Sequence, residues 1–249
     1  MRRQLSSVAV IHRDDPFSAV GALSGVGVAA AHARDAVDAL LRQPAVRQDA
    51  ARVAAEAAVR GARASAALDG AAAEDLGDPV VQGALRATAE VPALAAVWSA
   101  APGQALARIH LLAAKDLTRS PDALGRPRDG IDRVRFDQLL RLVVAPTAAP
   151  AVVVAALVHG ELATIRPFGF ADGVTARVAE RVVLVARGVD IKSVSVPEAG
   201  HAELARAYGQ LLEAYATGAP DGVGAWVRHC CEAYARGAEE GIAICRSLA

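Results

Sequence analysis

Along most of this chain apolar residues recur at the three- and four-residue spacing of an amphipathic helix, and alternation of period two is nearly absent. Asp15-Pro16 supplies an N-cap followed by proline at the first helical position, which opens a helix running toward Leu41. A second helix is expected over about residues 45–68, stopped by Gly70. Asp78-Pro79 repeats the cap-and-proline signature ahead of "VVQGALRATAEVPALAAVW", which Pro92 breaks or kinks. "GQALARIHLLAAKDL" sets Leu106, Ile109, His110, Leu111 and Ala113 at helical spacing. Further helices are expected over residues 134–144, 150–165, 173–187, 198–217 and 221–248. One long irregular piece, 118–132, is punctuated by Pro121, Gly125, Pro127 and Gly130 and is the expected mobile segment. "VSVP" and the stretch around Pro127 are the only strand-like candidates. No repeat, low-complexity tail or linker composition interrupts the pattern, so it predicts a single all-α domain over residues 1–249.

Composition narrows the function classes. At 249 residues and 53% hydrophobic, the chain can bury a large core. Its 27 basic and 27 acidic residues cancel, so no net field draws it to nucleic acid or a membrane surface. Aromatics at 4% leave no platform for stacking bases. Residues 16–33 are uncharged, yet Gly, Ser and His run through them, whereas a span requires about 20 strongly apolar residues. A buried helix is therefore expected there, and no membrane span. The N-terminal "MRRQLSSVAVIHRDD" is too weakly apolar for a signal peptide. Three cysteines, Cys230, Cys231 and Cys245, fit a reducing cytosol, so a cytoplasmic location is expected. Heavy use of Ala, Arg, Val and Gly is the bias of a GC-rich bacterial genome.

Consecutive His229, Cys230 and Cys231 invite a zinc reading. Neighbours on a helix diverge by about 100°, so the three cannot converge on one ion, and packing is the expectation. His159 is expected as a buried histidine bonded to backbone, and Glu161 as a surface or helix-pairing carboxylate. No metal site is expected.

The stretch "ELATIRPFGFADGVTAR" (161–177) runs a loop into a helix that carries Arg177 and Arg181 one turn apart. The first N–H groups of a helix lack internal partners and carry partial positive charge, which suits phosphate. "RPFGFADGVTAR" resembles the motif of the Fic (Fido) family, His-Pro-Phe-x-(Asp/Glu)-Gly-Asn-Gly-Arg-x-x-Arg. It has the same length and matches at Pro167, Phe168, Gly173 and Arg177. His159 stands seven positions before Arg166, where that family commonly has a histidine. "SAALDG" (65–70) resembles the family's N-terminal inhibitory motif, Ser/Thr-x-x-x-Glu-Gly/Asn, at Ser65, Asp69 and Gly70. The piece around Gly125, Arg126 and Arg128 lies where the family places a flap that aligns the target peptide.

This resemblance implies a Fic-like helical fold with a short irregular or β-hairpin flap. Residues 1–100 would hold N-terminal helices with the inhibitory-like segment, and 101–249 the core with flap 118–132 and motif loop 166–177. It also implies which chemistry is missing. The family histidine takes a proton from a target hydroxyl, but Arg166 stays protonated. The acidic magnesium ligand is replaced by Phe170, the asparagine by Asp172, and the first motif arginine by Val174. An alternative register makes Asp172-Gly173 the acid-glycine pair; it needs a two-residue insertion and puts Ala176 at the first arginine. In the resemblance the inhibitory glutamate reaches that first arginine, here Val174. Asp69 is therefore expected on Arg63 or Arg177 instead, or capping the turn before Gly70.

An inactive Fic-like binding or regulatory module follows, with a protein partner or a second copy as its expected partner and no cofactor. Arg166, Gly173, Arg177 and Arg181 are its candidate anion site, suited to a phosphate-containing small molecule. One alternative is a divergent transferase moving AMP from ATP with magnesium onto protein hydroxyls, with Asp172 as metal ligand and His159 as base. The other is a sensor of phosphorylated metabolites.

Overall fold

A computed structural model of the chain describes residues 15–248; the N-terminal stretch weighed above as a signal peptide lies almost wholly outside them. Twelve α-helices and no strand occur among the described residues. A short helix, α1 (Pro16–Gly21), and a longer one, α2 (Val26–Leu41), replace the single one expected, because the chain turns at Gly25 with φ 75°. Only one face of this region is buried, with Val28 standing in solvent, so the buried helix expected there is amphipathic instead. No described helix is long and apolar enough to cross a membrane.

Helix α3 (Pro44–Leu68) bends at Asp49 and ends before Gly70, which takes φ 77°. The Asp78 carboxylate accepts from the N–H groups of Val80 and Val81 and starts α4 (Pro79–Ala89). Pro92 breaks the next segment cleanly, lying in the first turn of α5 (Val91–Trp98). Helices α6 (Pro102–Ala114), α7 (Arg133–Leu142), α8 (Ala151–Ile165) and α9 (Asp172–Ala186) follow as the periodicity predicts. The helix expected over 198–217 is divided at Leu204 into α10 (Pro197–Glu203) and α11 (Ala205–Ala216). The last, α12 (Pro220–Ser247), packs on α2 and α10.

Neither strand-like candidate pairs. "VSVP" is an extended connection into α10, and the flap holds only a 3₁₀ turn at Pro121–Ala123, so it is irregular and not a hairpin.

Helices α8 and α9 form the centre. Residues 152–160 of α8 are buried without a break, as are 174–184 of α9, because other helices cover both on all sides. Such close approach relies on glycine at the crossings. A Cβ at Gly83 of α4 would run into the Ala113 carbonyl of α6, and one at Gly200 of α10 into the Ala233 carbonyl of α12. Gly83→Ala is expected to lower the unfolding free energy by about 1–3 kcal/mol, read from urea denaturation, because backbone and not a flexible side chain must give way.

Candidate functional site

The loop between α8 and α9 is set by three left-handed residues: Arg166 at φ 49°, Gly169 at φ 84° and Ala171 at φ 51°. Two of these are not glycine, and left-handed backbone is strained for such residues, so the loop is held by its surroundings. Asp172, the first residue of α9, accepts from the Phe168 N–H at 2.9 Å and closes the loop on itself. Burial raises its pKa, opposed by the Phe168 and Gly169 N–H groups. Its second oxygen, Oδ2, is buried with no partner among the described residues.

Beneath the loop lies His110 of α6, fully buried and stacked on Phe168 at 4.0 Å with the rings 4° from parallel. Phe170 meets the same imidazole edge-on at 4.8 Å. From the other side, His110 Nδ1 accepts from the Gly125 N–H at 2.9 Å, so one ring supports both the motif loop and the flap. The flap touches the loop directly as well. The Arg128 N–H donates to the Pro167 carbonyl at 2.8 Å and its Nε to the Arg166 carbonyl at 3.1 Å. Of the expected flap residues, Arg128 meets the loop directly, Gly125 reaches it only through His110, and the Arg126 side chain is exposed.

Arg177 is 1% exposed and its guanidinium faces the end of α3. Nε donates to Ser65 Oγ at 2.8 Å; Nη2 donates to the Ser65 carbonyl at 2.9 Å and to Asp69 Oδ1 at 2.7 Å. Burial works against its charge, but Tyr208 and Asp69 more than offset it and raise its pKa. Of the partners expected for Asp69, the structure selects Arg177; Arg63 reaches toward Glu74 instead. Gly173 makes the approach possible, since a Cβ there would collide with the Asp69 carboxylate. Asp69 thus lies over the first turn of α9, where an anion would bind.

Around this pair opens a cavity of about 400 Å³, lined by Asp69, Arg166, Asp172, Gly173, Arg177 and Tyr208 together with apolar neighbours. One expected anion-site residue falls elsewhere. Arg181 is spent in the interior, donating to Glu198 Oε2 at 2.9 Å and to Ser193, so it belongs to no anion site. Val174 is buried and apolar.

His159 is buried as expected, but its partners are side chains and not backbone: Glu180 lies 2.8 Å from Nδ1 and the Tyr208 hydroxyl 2.7 Å from Nε2. Burial lowers its pKa, with Glu180 opposing. Burial pushes the Tyr208 hydroxyl up to about 12, so it keeps its proton. Glu161 pairs helices as expected: Arg135 grips it with two bonds, 2.7 and 2.8 Å, and the Tyr215 hydroxyl donates to it. His110 and Tyr208 are the site residues that the sequence does not reveal, because each looks like one more member of a helical stripe.

Burial lowers the His110 pKa to about 4. An unfolded chain with an ordinary histidine holds more proton than the folded one between about pH 6.5 and pH 4, so folding stability falls as pH falls through that window. In urea titrations, His110→Gln is expected to lose less stability than the wild type between pH 7 and pH 5.

No protein-family model matches this sequence, and no curated protein matches it. Solved structures do resemble it. One is a Fic family protein from Desulfovibrio desulfuricans G20, with TM-score 0.68, 19% identity, and coverage of 89% of this chain and 75% of that one. Another is Fic-1 (residues 134–508) from C. elegans, with TM-score 0.69, 14% identity, and coverage of 90% and 74%. At this level of identity the likeness is one of backbone arrangement over about nine tenths of the chain: the chain has the all-helical Fic fold.

Proposed function

We propose that this chain is a catalytically inactive Fic-fold binding or regulatory module, in which Asp69 occupies the anion position of the old nucleotide cleft. The observation that carries the reading is Arg166 at the place of the motif histidine. A guanidinium cannot take a proton from a hydroxyl at any ordinary pH. The described residues lining the cavity include no histidine, and both nitrogens of the nearby His159 are engaged in the interior.

Magnesium-ATP, which the fold implies, does not suit this cavity. The metal-ligand position carries the ring of Phe170, which offers no oxygen and packs on His110. The first phosphate arginine is Val174, and the second, Arg177, is already engaged by Ser65 and Asp69. Asp172 spends one oxygen on the loop backbone. Its Oδ2, without a partner among the described residues, is what favours the alternative of a divergent transferase, because it is a spare hard donor on a residue that lines the cavity.

What remains is a cleft able to take a small anion or a peptide carboxylate once Asp69 withdraws, with a protein partner or a second copy of the chain as the source of regulation. Incubation with labelled ATP, magnesium or manganese and cell lysate should leave every protein unlabelled; a labelled hydroxyl would favour the transferase. In thermal shift against inorganic phosphate, Asp69→Ala is expected to bind at least about tenfold more tightly than the wild type, the scale of one charge-assisted contact. Adding Arg177→Ala should abolish that gain.

A further inference from the structure

Behind Arg177, where α8, α9, α10 and α12 cross, the interior holds a set of polar groups that the cleft does not use. One ring nitrogen each of His159 and His201, a Glu180 carboxylate oxygen and Cys230 Sγ all lie within 4.8 Å of one another, and all four residues are buried. His159 Nδ1 is 2.8 Å from Glu180 Oε1, and His201 Nε2 is 3.3 and 3.2 Å from the two carboxylate oxygens. We propose that these four side chains form a closed, tetrahedral site for a divalent transition metal of the zinc type, built into the core and distinct from the cleft.

Geometry, charge and outer support each point there. Bonds of about 2.0–2.3 Å to nitrogen, oxygen and sulfur put tetrahedral ligands roughly 3.3–3.6 Å apart. The His201–Glu180 separations already fall near that edge length, and the others need only small side-chain shifts. Among the described residues no guanidinium touches the carboxylate of Glu180, since Arg177 is held by Ser65 and Asp69 and Arg181 by Glu198. A buried carboxylate without a cation is costly. A dication bound by one carboxylate, one thiolate and two neutral imidazoles brings the set to zero net charge. On binding, the Cys230 sulfur–hydrogen bond breaks, its proton leaves to solvent, and the sulfur pair forms the bond to the metal.

Metal-binding histidines are normally oriented through their other nitrogen. Here His159 Nε2 meets the Tyr208 hydroxyl at 2.7 Å, and His201 Nδ1 meets His229 Nε2 at 3.3 Å. The Tyr234 hydroxyl donates to Glu180 Oε1 at 2.6 Å, leaving Oε2 for the ion. Mixed nitrogen, oxygen and sulfur donors in tetrahedral array suit zinc or cobalt and not magnesium. With no ligand open to solvent, the ion would hold the four helices together and take no substrate. Its loading would accompany folding.

The test is metal content of the purified full chain, measured by plasma mass spectrometry after gel filtration, then again after unfolding with chelator and refolding in excess zinc. About one zinc per chain is expected; a content that stays below roughly a tenth of that after refolding overturns the site. Refolding in cobalt should give intense visible bands of a tetrahedral ion and a thiolate-to-cobalt charge-transfer band. Cys230→Ala should remove the charge-transfer band, while Cys231→Ala and Cys245→Ala keep it. A band that survives Cys230→Ala, or never forms in the wild type, sinks the assignment whatever the stability of the variants.

Discussion

The buried guanidinium of Arg177 is the interaction on which the arrangement of this protein turns. It sits on the central helix α9 with almost no exposure, and it must be satisfied there or neutralised, which arginine cannot do. Its hydrogen-bond partners come from the end of α3, more than a hundred positions earlier in the chain, and Tyr208 on α11 also favours its charge. Breaking such a pair by removing one member is far costlier than losing a surface ion pair, because a buried charge is left uncompensated. The end of α3 is therefore tied to the motif loop by electrostatics as much as by packing, and the cleft takes its shape from that tie.

From the same residue a chain of polar contacts runs inward. Asp69 meets Arg177, whose charge Tyr208 helps to hold; Tyr208 meets His159, and His159 meets Glu180. Glu180 lies three positions after Arg177 on α9, so one helical face carries both the cleft cation and the core carboxylate. A change at the cleft that released Tyr208 would also loosen the outer support of His159. The two halves of the molecule, surface pocket and interior cluster, share that single hydroxyl.

Much of the fold was legible. Asp78-Pro79 and Asp15-Pro16 marked helix starts that the structure keeps, because capping is local chemistry between residues two or three apart. Helix breaks within apolar runs were harder: Gly25 and Leu204 interrupt stretches whose periodicity continues across them. At the site, the order of motif residues gave Asp69 its partner among the arginines considered, and the αL conformations at Arg166 and Ala171 left no sequence trace, since neither residue type favours them. Arg181 was misassigned because helical spacing sets it on the face of Arg177, while Glu198 waits on a helix that spacing cannot reach. The interior cluster was hidden for the same reason. His229 and Cys231, adjacent to Cys230, suggested a local group, whereas its true neighbours come one each from α8, α9 and α10.

The missing side chain at Gly173 has an implication for how this sequence can change. Because the Asp69 carboxylate lies where a methyl group would be, neither position can vary alone without cost. A lineage that gave residue 173 a side chain would first have to shorten or remove the acid at 69, and one that lengthened the acid would have to keep the bare backbone opposite. Descent should therefore treat the two as a linked pair, and their joint history in any set of descendants would show whether the cleft has been kept shut by selection or merely by inheritance.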